Sequence, residues 1–100
     1  MSRSDKAESE VLEHRAATEK LVSLAGADWG IMAVQVALPG IRRAQTSNEQ
    51  NRLINKLARS IVTEARQQFR DDPVLFDVWL DAAIEAASAC LDVGVGEDAA

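Results

Sequence analysis

The chain has 100 residues, 47% of them apolar and 27% charged, with a formal charge of −5. That composition excludes a disordered polymer and leaves room for one domain around one core. The longest unbroken apolar run is Ile31–Val34, no secretory apolar stretch follows the N-terminus, and the single cysteine, Cys90, excludes an internal disulfide, so a cytoplasmic protein without a membrane span is expected.

Four helical segments can be read in order. The first is predicted from about Asp5 to Ala25: Val11, His14, Thr18, Leu21, Val22 and Ala25 fall on one side, and Gly26 supplies a left-handed stop. Asp28 can cap a second segment, Trp29 to Leu38, ended by Pro39-Gly40. Only Gln35 is polar between Ile31 and Leu38, and a short helix apolar on all sides belongs in the middle of a core. The third segment opens on Thr46-Ser47-Asn48-Glu49, a capping box, and runs to Arg70 without Gly or Pro. Its apolar stripe is Leu53, Ile54, Leu57, Ala58, Ile61, Val62, Ala65 and Phe69. Asp72 then caps a fourth segment with Pro73 at its first position, predicted to about Leu91 and rich in alanine. These segments predict an all-α fold: one compact bundle of about four helices over residues 1–93, with a flexible acidic tail over 94–100. Of the four aromatics, Phe76 and Trp79 lie three apart, as core anchors do.

Charge is segregated along the chain. Residues 41–70 carry seven basic groups against two acidic ones, whereas residues 71–100 carry eight acidic groups and no basic one. On the third segment Arg52, Lys56, Arg59, Arg66 and Arg70 recur at helical steps and share a face. On the fourth, Asp77, Asp81, Glu85, Ser88 and Asp92 make a narrow negative row. Each row reads as a solvated face, as half of a pairing between neighbouring helices, or as a surface for an oppositely charged partner. The complete absence of Lys and Arg after Arg70 favours the last, because ordinary helix faces mix signs.

Catalytic and cofactor chemistry find no support. His14 has only Glu10 one turn away, which makes neither a metal site nor a triad, and His14 reads as a partly buried bundle residue. Cys90 lies among alanines, where a thiol behaves as a small hydrophobe. There is no Gly-rich phosphate loop, paired cysteine or Ser-centred elbow. No catalytic, cofactor-binding or metal-binding residue is therefore assigned.

In size, acidity and helical content, with Asp71, Asp72, Asp77, Asp81, Glu85 and Asp92 as the carrying residues, the chain resembles the anti-CRISPR inhibitors of type I surveillance complexes. Those are small helical proteins encoded by phages and mobile elements. The resemblance implies a non-enzymatic inhibitor whose carboxylates meet basic residues that otherwise hold nucleic acid. The basic row departs from a pure nucleic-acid mimic and could instead meet an acidic protein surface. The expectation is thus a monomeric module that binds a protein partner with a basic surface through the acidic row. Two alternatives stay open: a nucleic-acid binder using Arg52, Lys56, Arg59, Arg66 and Arg70, and a self-associating assembly module.

Overall fold

Helix periodicity and two punctuated turns resolve into three helices in the computed structural model of the chain, which describes residues 3–99, with side chains described from 11 to 94. They are α1 (Arg3–Arg43), α2 (Ser47–Gln68) and α3 (Pro73–Ala99), and no strand occurs among the described residues. The all-α expectation holds, but the first two predicted segments are one helix of 41 residues. Neither Gly26 nor Pro39 ends it, and no glycine takes a positive φ.

The reason lies in how α1 meets α3. On α1 the buried positions are Gly26, Gly30, Val34 and Ile41; on α3 they are Trp79, Ala83, Ala87 and Gly94. Each α3 position is 53 residues on from its α1 counterpart, so the two helices run parallel in one register, and α2 connects them by returning antiparallel alongside the pair. A Cβ on Gly26 would collide with the Trp79 carbonyl oxygen, and one on Gly30 with that of Ala83. These glycines therefore cost α1 about 1 kcal/mol each in helix propensity and permit backbone-to-backbone approach. Pro39 costs roughly 3 kcal/mol in a helix interior. Against that, the last turn beyond it carries Ile41 into full burial and brings the Arg42 guanidinium to donate to the Gly94 carbonyl at 3.0 Å.

α2 follows its sequence closely. Leu57, Ile61 and Ala65 are buried, and Thr46 Oγ1 accepts from the Glu49 amide at 3.1 Å. The Glu49 carboxylate accepts from Gln45 N, one residue before the reciprocal partner that a capping box expects. The helix stops at Gln68, so Arg70 lies in the turn beyond it. Asp72 Oδ1 accepts from Leu75 N at 3.1 Å, capping α3 with Pro73 in its first turn as expected. Trp79 is the anchor of the core, 1% exposed, with Trp29 at 5.5 Å and Phe69 at 6.4 Å between ring centroids. Such tilted aromatic pairs add about 0.5–1.5 kcal/mol each beyond their buried area. Where the sequence places a tail from residue 94, α3 continues through Gly94 and Gly96 to Ala99.

The shape departs from the compact bundle expected. Principal extents are 66 × 28 × 16 Å, and the radius of gyration is 17.9 Å, against about 13 Å for a compact domain of this length. By the α1–α3 register, α1 before about residue 20 lies beyond the start of α3. Val11, Leu12 and His14 are accordingly exposed, which corrects the expectation of a core-facing stripe through Val11 and of a partly buried His14. Fusing two segments has a second consequence. Val11–Arg43 is long and apolar enough to cross a membrane by length and composition, contrary to the expectation drawn from unbroken runs. Ser23, Asp28 and Gln35 interrupt those runs without making the helix polar.

Candidate interaction surface

The acidic row is built by α3 itself. Its contact face is fixed by Trp79, Ala83 and Ala87; at about 100° per residue, positions 77, 81, 85, 88 and 92 turn away from that face. Asp77, Asp81, Glu85, Ser88 and Asp92 are all exposed. Asp71 is exposed in the turn before α3, while half-buried Asp72 spends its carboxylate on the helix cap. The structure therefore lines up Asp77, Asp81, Glu85 and Asp92 along one edge and leaves Asp72 in a structural role.

On α2, Arg52, Lys56, Arg59 and Arg66 are exposed, and exposed Arg70 extends their line into the turn. Lys56 borders an apolar groove between α1 and α2, lined by Trp29, Met32, Val36 and Leu53. Arg66 and Arg70 flank a second groove floored by Phe69 and Phe76. Among the described residues no ion pair joins the basic row to the acidic one; the pair that forms is Arg15–Glu19 at 3.9 Å, within α1. Among the described residues, ion pairs between the two rows do not hold the helices together.

Cys90 is half-buried and packs against the core cluster. His14 is exposed, and its backbone carbonyl accepts from the Thr18 hydroxyl at 3.0 Å. Among the described residues no group of three or more His, Cys, Asp or Glu side chains gathers. The charge pattern gave no sign of a further feature, the amount of apolar surface left uncovered. Leu21, Leu24, Met32 and Val36 are 52–79% exposed along α1. Only 17% of the most apolar window of Val11–Arg43 is buried, whereas a core helix would be mostly covered. One sign of it was present, because a helix apolar on all sides needs more neighbours than two companions can supply. No family model, curated protein or solved structure matches the chain.

Proposed function

We propose that this protein is a non-catalytic binding module that docks a protein partner through the acidic row of α3. The partner carries a basic, nucleic-acid-binding surface, and occupying it blocks nucleic acid from binding, the mode that the resemblance to anti-CRISPR inhibitors implies. The carrying observation is that Asp77, Asp81, Glu85 and Asp92 are all exposed along one edge and that, among the described residues, none of them is used in an ion pair. Carboxylates one helical turn apart, about 5–6 Å, can face a row of guanidinium or ammonium groups, and charge-assisted contacts are stronger than neutral ones. Complementary charge also speeds association and fixes register.

The test is capture from the cytoplasm of the native host with the parent chain and with an Asp77→Lys, Asp81→Lys, Glu85→Lys triple variant. Exposed positions change stability by about 0.5 kcal/mol or less each, so the variant should keep its helical circular dichroism. It should also lose the captured protein, and the parent chain should displace nucleic acid from that protein. Equal capture by both chains would reduce the row to a solubility face. Direct, steeply salt-dependent binding of nucleic acid, lost on changing Arg52, Lys56 and Arg59 to Ala, would transfer the function to α2.

A further inference from the structure

Two stretches of the chain without a carboxylate pack side by side. The first lies between Asp28 and Glu49 and holds the later part of α1; the second lies between Glu49 and Glu64 and holds the middle of α2. They share an open groove of about 570 Å³, whose apolar lining includes Trp29, Met32 and Val36 of α1 and Leu53 and Leu57 of α2. Among the described residues, the ionised side chains that line it are Arg43 and Lys56, both cations. Because α2 returns antiparallel from the turn after Arg43, Leu53 and Lys56 stand against the last turns of α1 and Ser60 against earlier ones. The groove is therefore cationic toward Pro39 and Arg43 and apolar toward Trp29.

We infer that this groove binds a long-chain carboxylate, a fatty-acid anion whose head meets Arg43 and Lys56 and whose chain lies along Val36 and Met32 toward Trp29. Charge selects the head. Neither cation has an Asp or Glu within one helical turn of it in sequence, and a charge-assisted contact to a carboxylate is stronger than a neutral one. Apolar surface selects the chain. Met32 is 52% exposed and Val36 79%, and moving methylenes from water onto such surface is favourable.

Size selects a slender occupant. The lining runs from Trp29 to Arg43 along α1, about 21 Å at 1.5 Å per residue, and the volume falls in the range of small-molecule sites, about 300–1,000 Å³. A polypeptide helix is at least about 10 Å across, and three turns of one fill roughly 1,300 Å³, so it would stand mostly outside the groove. Among the described residues α3 contributes nothing to the lining, so the inference does not depend on the function proposed for the acidic row.

Calorimetric titration of the full chain with laurate, below its micelle concentration, tests the inference. Saturable binding of one laurate per chain is expected. Dodecanol, with the same chain and no charge, should bind about tenfold or more weakly, and butyrate, with the charge and almost no chain, should give no measurable binding. Changing Arg43→Gln and Lys56→Gln together should weaken laurate about tenfold and leave dodecanol unchanged. Val36→Glu should weaken both ligands about tenfold or more, because it sets a carboxylate in the path of the chain. Circular dichroism checks that the variants stay helical, and the comparison of acid with alcohol on the parent chain needs no variant. Absence of saturable laurate binding would overturn the inference, as would equal affinity for laurate and dodecanol. So would a Gln double variant or a Val36→Glu variant that binds laurate as tightly as the parent, or a chain that binds phosphatidylglycerol vesicles but not laurate.

Discussion

Helices α1 and α2 pack into the same core by opposite means. α2 is amphipathic: its buried residues, Leu57, Ile61 and Ala65, are separated by charged and polar ones. One neighbouring layer satisfies it. α1 is apolar nearly all round from Leu21 to Leu38, and its tightest contact is made by two residues with no side chain, Gly26 and Gly30. The contrast teaches that residue hydrophobicity alone does not locate the core of this protein. On α1 the glycines are buried, while Leu21 and Val36 face outward.

The most damaging change should be at the residue both helices share. Trp79→Ala removes the ring that Trp29 of α1 and Phe69 of the α2 cap pack against, and should cost about 3–5 kcal/mol in urea unfolding. A smaller loss would mean that the two helices are held independently of that ring.

A matched pair of leucines sharpens the comparison further. Leu57→Ala on α2, where the side chain is 7% exposed, should destabilise by about 2–5 kcal/mol. Leu21→Ala on α1, 68% exposed, should fall within about 0.5 kcal/mol. Similar losses at both sites would show that Leu21 is covered in solution.

Glycines give a pair of opposite sign. Gly30→Val drives a side chain against the Ala83 carbonyl and should lower stability by about 1–3 kcal/mol. Gly40→Ala meets nothing within 4 Å and should raise it by up to about 1 kcal/mol through helix propensity. Calorimetric melting temperatures that moved the same way in both variants would refute the role given to the α1–α3 approach. The smallest effect should come at the α2 cap, where Thr46→Ala removes the hydroxyl that accepts from Glu49 N and should cost about 1 kcal/mol.

What the sequence determined by itself is local. Thr46 and Glu49 at the start of α2, Asp72-Pro73 at the start of α3, and the stripe through Leu57, Ile61 and Ala65 act through neighbours within one or two turns. A pattern of three or four residues therefore specifies them. The charged rows were legible for the same reason, since helical spacing settles which side chains share a face. The fate of Gly26, Gly30 and Pro39 was not legible. Read locally, each is a helix stop, and only contact with Trp79, Ala83 and Gly94, more than fifty residues away, makes a continuous α1 favourable. Tertiary structure also decided which apolar residues are core. α1 has more apolar sides than two companion helices can cover, and the parallel register with α3 selects the small-residue row for burial. Leu24 and Ile31 stay outside because the glycine and alanine row lets two backbones approach more closely than any leucine would permit.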